Sequence, residues 1–251
     1  MKNYLSLLFS LFCISLFAQG PPITADKPIM LGGKSFTVKT LTEIRTSEQG
    51  TSIYVPFMFH YLPTANSLIA VHIPFITTNF SDNFVFADVQ VLGKYQFLRK
   101  DATGKTFRIV AKTLQNLPTG KKLGVMRQST GFYQSYFGVV TGYESLRYGI
   151  SSEVGFNWSE FSNFNEQITK LGFGLPLLKP QYPNKQINLF FEYSSSWFTS
   201  LGEYQLFYAQ GIQYALKNIT FDLAVQLPLI NDVEQINAFE HSVFLGTRYT
   251  F

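Results

Sequence analysis

What most constrains this chain is a hydrophobic alternation of period two that recurs along most of its 251 residues. "SIYVPFMFHY" sets Ile53, Val55, Phe57, Phe59 and Tyr61 against Tyr54, Met58 and His60. "NFVFADVQVLGKYQFL" sets Val85, Ala87, Val89, Val91, Tyr95 and Phe97 against Asp88, Gln90, Lys94 and Gln96. The same beat returns in "KTFRIVAKTLQ", "SLRYGISSEVGFNW", "QINLFFEYS" and "ITFDLAVQLPL". Successive side chains of a strand point to opposite faces, whereas a helix repeats every 3.6 residues, so this pattern specifies strands. About twelve such segments follow, near 35–46, 51–62, 66–77, 83–99, 105–117, 131–142, 145–158, 164–178, 185–197, 202–216, 218–230 and 239–251. Turn residues separate them, as in "SEQG", "DATG" and "YPNK". No helical period intervenes, which excludes an α/β fold.

Alternation alone does not say which face is inside. A soluble sandwich or lipocalin-like barrel buries its apolar face, and a transmembrane barrel turns that face to lipid. Length and composition decide. Many segments run well past the ~5–6 residues of ordinary strands and reach the ~9–11 needed to cross a bilayer at a tilt. Charged residues are only 14% of the chain, against ~25% in soluble domains, while aromatics reach 17%. Tyr61, Tyr95, Trp158, Tyr193 and Tyr249 stand near the ends of apolar rows, as interfacial girdles require. The expected fold is all-β: a transmembrane antiparallel β-barrel of about twelve strands, with ten to fourteen compatible with the spacing. An even number closes without an unpaired edge in lipid.

The first residues read as an export signal, with Lys2 ahead of the apolar "YLSLLFSLFCISLFA" and small residues Ala18 and Gly20 near a cleavage point. The apolar run is short for a helical span of ~20 residues. The expected division is 1–20 signal peptide, 21–34 a periplasmic or lumenal lead-in, and 35–251 the outer-membrane barrel. Cys13 is the one cysteine and falls in the signal, so disulfides and thiol catalysis are excluded from the mature chain. A net charge of +4 without a basic block argues against nucleic acid.

Three stretches resemble the outer-membrane β-barrel family known as the "MetA-pathway of phenol degradation" family. "ADKPIM" (Ala25 to Met30) resembles its early Asp-Arg-Pro segment, with Lys27 in place of Arg. "ADVQVLGKYQFL" (Ala87 to Leu98) resembles its Gly-Asp-x-x-x-x-x-Lys-Tyr-x-Phe strand, keeping Asp88, Gly93, Lys94, Tyr95 and Phe97. "LPTG" (Leu117 to Gly120) closes the next strand in a similar way. The resemblance implies an outer-membrane pore of a Gram-negative cell for small, often aromatic or hydrophobic compounds. It brings no reaction, and neither enzyme activity nor a cofactor is expected.

The faces opposite the apolar rows carry charges of both signs: Lys39, Glu43, Arg45, Asp88, Lys94, Arg108, Arg147, Glu153, Glu192, Asp222, Glu240 and Arg248. These are the candidate lumen-lining residues. They would either bias solute passage or pair off and fill the interior, with Asp88 and Lys94 within reach of Arg108. His60 and His72 share the inward side, but their expected register is not opposite and no acid or cysteine completes a metal site. His241 faces lipid and Ser242 points the other way, so neither these two nor Ser135 makes a hydrolase site. "PTGKKLGVMRQSTG" lacks phosphate-loop spacing and reads as a solvated loop. Residues 21–34 would either plug the lumen, with Asp26 and Lys27 gating it, or simply lead into the first strand.

The chain stops on "GTRYTF". Counting back in twos, Phe251, Tyr249, Thr247, Leu245 and Val243 form one lipid-facing row on the closing strand. Gly246, Tyr249 and Phe251 resemble a terminal signal read by the barrel assembly machinery. The expected function is passive passage of a small solute through the outer membrane; the alternative is a closed barrel with a structural or adhesive role. Expected partners are outer-membrane lipid, the assembly machinery during biogenesis, and a small solute of unknown identity. Oligomeric state is left open.

Overall fold

The computed structural model describes residues 23–28, 33–48, 50–78, 81–122, 129–178, 185–233 and 238–251. The expected signal peptide, parts of the 21–34 lead-in and the centre of the 118–130 loop lie outside these residues.

Thirteen strands form one antiparallel sheet: β1 (Ser35–Ser47), β2 (Gly50–Thr64), β3 (Ser67–Thr78), β4 (Ser81–Phe86), β5 (Val89–Ala102), β6 (Lys105–Leu117), β7 (Gln134–Ser145), β8 (Gly149–Ser159), β9 (Glu166–Pro176), β10 (Lys185–Phe198), β11 (Glu203–Leu216), β12 (Ile219–Asp232) and β13 (His241–Thr250). Neighbours in the sheet follow the chain, and β1 pairs with both β2 and β13 while β2 pairs with β3. The sheet therefore closes on itself. β4 and β5 both pair with β3, at opposite ends of it, and make a single interrupted stave. The result is a closed barrel of twelve staves, eleven of them unbroken strands of 10 to 15 residues.

Closure pairs the staves on both sides, except along β4, whose only strand partner among the described residues is β3, and such pairing is the condition for backbone in hydrocarbon. Side chains then sort by the alternation of the sequence. The exterior carries Phe57, Phe59, Tyr61, Phe137, Val154, Phe156, Trp158, Leu223, Val225 and Leu227, all exposed. The interior carries Glu153, Asn188, Glu192, Gln205, Gln213 and Asp222, all buried. A soluble barrel would show the reverse; this exterior belongs against lipid. The connectors differ between the two ends, apart from the short 48–49 and the longer 177–184. At the end holding the start of β1 and the end of β13, four are turns of two or three residues, such as Ala65–Asn66 and Lys217–Asn218. The opposite end holds longer ones, including 118–133 and 233–240.

The 83–99 segment departs from expectation. Its alternation does not run through: Phe84 and Phe86 are exposed in β4, whereas Tyr95 and Phe97 are exposed in β5. Val85 and Ala87 thus do not continue the outer row of β5. The registers Phe75↔Phe86 and His72↔Gln90 differ by one residue, so an extra residue is absorbed at Ala87–Asp88. A one-residue slip exchanges the two faces of a strand. Both residues of the bulge are fully buried. The β7–β8 hairpin also turns later than expected, at 146–148 rather than 143–144.

Candidate functional site: a chain segment across the lumen

Residues 23–28 belong to no strand, and their partners are inward side chains of the barrel. Glu192 on β10, 3% exposed, accepts from the backbone N–H of Ile23 (2.7 Å), Thr24 (2.7 Å) and Ala25 (2.6 Å), and from the Thr24 hydroxyl. Hydrogen bonds to a charged acceptor are the strong kind, each worth ~1.5–3 kcal/mol net. Lys170 on β9 donates to the Thr24 carbonyl at 3.3 Å. Ile23 packs with Phe190, Ala224, Phe244 and Leu41, an apolar cluster inside the barrel. Space for it exists because β11 has Gly211, where a Cβ would collide with the Ile23 side chain.

The other half of the segment is held by charge. Asp26 pairs with Lys94 on β5 and, at 2.9 Å, with Lys112 on β6. Burial works against its ionised form, but the Lys112 and Lys94 ammonium groups more than offset this and hold its carboxyl well below the usual carboxylate range. Lys112 also reaches Glu153 Oε1 on β8 at 2.7 Å. That oxygen accepts from the Tyr136 hydroxyl as well, at 2.6 Å. Lys27 pairs with Glu144 on β7. Pro28 lies against Gly142, where a Cβ would come within 2.7 Å of the proline ring. Polar and packing contacts with β5, β6, β7, β9, β10 and β11, and the apolar cluster with β1, β12 and β13, thus carry six residues between separated parts of the wall.

Glycines next to Tyr136 fix that part of the wall. A Cβ at Gly138 or Gly155 would overlap the Tyr136 phenol, so the ring lies along the strands rather than across the lumen. This position directs its hydroxyl to Glu153.

The expected lumen-lining charges divide into groups. Lys94, Glu153 and Glu192 hold the crossing segment directly or through Lys112. Asp222 accepts from Gln213 at 2.6 Å and lies 3.6 Å from Arg248; Gln213 in turn accepts from Asn188. Glu43 binds Arg45 at 2.8 Å and accepts from Ser242 at 3.0 Å. Lys39 is on the same inward face of β1, in register with Met58 and Arg248. Arg108 reaches Asp101 at 3.9 Å, while Lys94 goes to Asp26, so the anticipated Asp88–Lys94–Arg108 grouping does not form.

Three residues are placed otherwise than expected. Asp88 is fully buried in the bulge and clamps the connector that follows β6: it accepts from Gly120 N (3.0 Å), Gly131 N (3.1 Å) and Asn116 Nδ2 (3.3 Å). Gly120 must be glycine there, since a Cβ would stand 2.6 Å from the Ala87 Cα. Arg147 sits in the exposed β7–β8 turn, not on an inward face, because β7 extends to Ser145. Glu240 is exposed and precedes β13, with its N–H donating to the Thr46 carbonyl at 2.9 Å.

His60 pairs in register with Ala70 and His72 with Met58, so they are not opposite; their rings nevertheless stack at 5.6 Å across the diagonal. Among the described residues no group of three or more His, Cys, Asp or Glu stands at metal-binding distance. His241 and Ser242 fall on opposite faces of β13, with Ser242 buried against Glu43. At the last stave, Gly246 faces inward against Asp222 and Leu41. Phe251 N donates to the Phe36 carbonyl at 3.0 Å, and its ring packs on Tyr249 (4.7 Å) and Phe36 (5.7 Å).

Lys112, Tyr136, Glu144, Lys170 and Ile23 are among the site residues that the sequence did not single out. Lys112 was recoverable, four residues from Arg108 and so on the same face of β6. Tyr136 and Ile23 were not, because each depends on glycines of other strands. A second inward cluster, Leu62, Leu68, Ala70, Leu92, Val110 and Val140 with Leu114 beside it, also makes the interior less polar than expected.

With this geometry in view, solved structures give the comparison. An outer membrane channel from Pseudomonas putida F1 aligns over 93% of this chain and 100% of its own, at a TM-score of 0.64 and 10% identity. The two share a barrel fold. The KdgM porin, solved in complex with disordered oligogalacturonate, aligns over 86% and 99% at a TM-score of 0.56 and 9% identity. The NanC porin aligns over 84% and 98% at a TM-score of 0.56 and 10% identity. No family model matches the chain, and no curated protein matches its sequence. At such identities the likeness is one of fold.

Proposed function

We propose that this protein is an outer-membrane channel for passive passage of a small solute, and that residues 23–28 are the constriction that limits flow. The observation that carries this reading is the charged and hydrogen-bonded crossing of a closed transmembrane barrel by a short strandless segment. Segment 23–28 is held by side-chain contacts rather than by a strand ladder, so it can leave without opening the wall. The resemblance of "ADKPIM" and "ADVQVLGKYQFL" to the phenol-degradation barrels supports a solute path, and the fold likeness to porins agrees with it. Gly246, Tyr249 and Phe251 then act as the recognition signal for assembly into the outer membrane. The inward residues Lys94 and Glu192, which touch the segment, and Glu153, which is linked to it through Lys112, would face solute once it withdraws.

Purified protein in liposomes tests the channel. Swelling in an isotonic solution of a small sugar, faster than in empty liposomes and slower as solute size rises, is expected. Swelling equal to that of empty liposomes, from protein shown to be folded, rejects it.

A further inference from the structure

Beside the crossing segment, on its β6–β9 side, the lumen contains a cavity of about 200 Å³. Its wall includes Lys112, Asn116, Gln134, Tyr136, Glu153 and Asn157. With Gln90, Glu166 and Lys170 also in the lining, four side-chain amides, a phenol, two carboxylates and two ammonium groups are an unusually polar lining for so small a space. At ~30 Å³ per water it is the volume of roughly six or seven waters, smaller than the ~300–1,000 Å³ of pockets that take drug-sized ligands.

Its hydrogen-bonding balance is uneven in one direction. The Lys112 ammonium and the Tyr136 hydroxyl are both spent on Glu153 Oε1. Glu153 Oε2 has no partner, although the residue is 2% exposed. Asn116 Oδ1 has none either, its amide nitrogen being committed to Asp88, and that residue is 5% exposed. Both unmet atoms are acceptors. An occupant that satisfies them must bring O–H or N–H donors. The lining carries two ammonium groups, Lys112 and Lys170, and two carboxylates, Glu153 and Glu166, so its charges balance and favour neither an added cation nor an added anion. A neutral donor fits best.

We infer that this cavity is a binding site for a small neutral polyol, no larger than a monosaccharide, on the solute path. The inference rests on the channel reading for its place in transport, but binding itself does not require conduction. It assigns the lumen a hydroxylated solute class, in contrast to the aromatic or hydrophobic compounds that the family resemblance implies. An aromatic hydrocarbon would leave both buried acceptors unsatisfied, the costly case for a polar group out of water.

Equilibrium dialysis of the folded, detergent-solubilised barrel tests it, with D-glucose as one probe and toluene as the other. Saturable uptake of one glucose per barrel, and no saturable toluene, is expected. Asn116→Leu should weaken glucose uptake by roughly tenfold, the worth of one buried hydrogen bond. Ile168→Trp, which fills the space from a residue outside the polar network, should abolish it. Folding of each variant is checked by the shift in gel mobility on heating. Absent saturation with glucose, saturable uptake of toluene, or glucose uptake unchanged in folded Ile168→Trp each overturns the inference. Saturable glucose in a barrel that fails to swell liposomes would instead overturn the channel reading and leave the site standing.

Discussion

Through one buried carboxylate, Glu192 holds half of the crossing segment. Replacing it with alanine removes the acceptor for three backbone N–H groups and one hydroxyl at once. Each such bond is worth ~1.5–3 kcal/mol, but they act on neighbouring residues and do not add in full. A loss of about 3 kcal/mol in favour of release is a reasonable expectation, a shift of roughly a hundredfold in the released fraction. The assay uses Ala25→Cys, since the one natural cysteine is Cys13. In the folded barrel, alkylation of that thiol by a water-soluble maleimide reports how often the segment leaves its partners, in the manner of local opening. Glu192→Ala should raise the rate on the order of a hundredfold, and Glu192→Gln, which keeps one acceptor oxygen, by less. Equal rates in the parent and Glu192→Ala would refute the claim that these bonds hold the segment.

Three further outcomes follow from other parts of the wall. Gly155→Ala would drive a methyl into the Tyr136 phenol and should destabilise the barrel by about 1–3 kcal/mol, as overpacking does; a thermal melt with an unchanged midpoint would contradict this. Asp88→Ala leaves the Gly120 and Gly131 N–H groups without their acceptor, so the 118–130 connector should become cleavable by trypsin at Lys121 or Lys122 while the staves stay intact; parental resistance would contradict it. Because the Asp26 carboxyl is held below its ordinary value, its contribution is complete above the unfolded-state pKa of ~3.9 and is lost only as pH falls through the lower folded value. Thiol accessibility at residue 25 should therefore not rise between pH 7 and pH 5, after correction for the intrinsic reactivity of the thiol; a rise centred near pH 6 would contradict it.

The wall of this molecule was legible in the sequence, and its contents were not. Period-two alternation depends on local strand geometry, so Phe221, Leu223, Val225 and Leu227 could be assigned one face and Asp222 and Gln226 the other before any fold was known. The aromatic rows and the strand lengths then chose lipid over water. The slip at Ala87–Asp88 escaped because its cause is remote: Asp88 is turned to meet N–H groups at residues 120 and 131. An interior place for 21–34 was one of the two alternatives the sequence left open; what escaped was the set of partners of 23–28, which come from nine strands that no periodicity marks. Arg147 and Glu240 were assigned by extending alternation ahead of the starts of β8 and β13, where no ladder fixes the side chain. Tyr136 illustrates the general limit. Its orientation is set by two glycines, one of them on the neighbouring strand, and a glycine in an alternating row looks like a gap rather than an instruction.

The central claim is that a conducting path exists and that residues 23–28 restrict it. Planar-bilayer recording of the full chain and of a variant lacking residues 21–32 tests this most directly, with folding of both confirmed beforehand. The account predicts small or intermittent single-channel steps for the full chain and larger, steadier ones for the variant. Identical currents would show that the segment restricts nothing, and no current from either folded protein would contradict the channel itself.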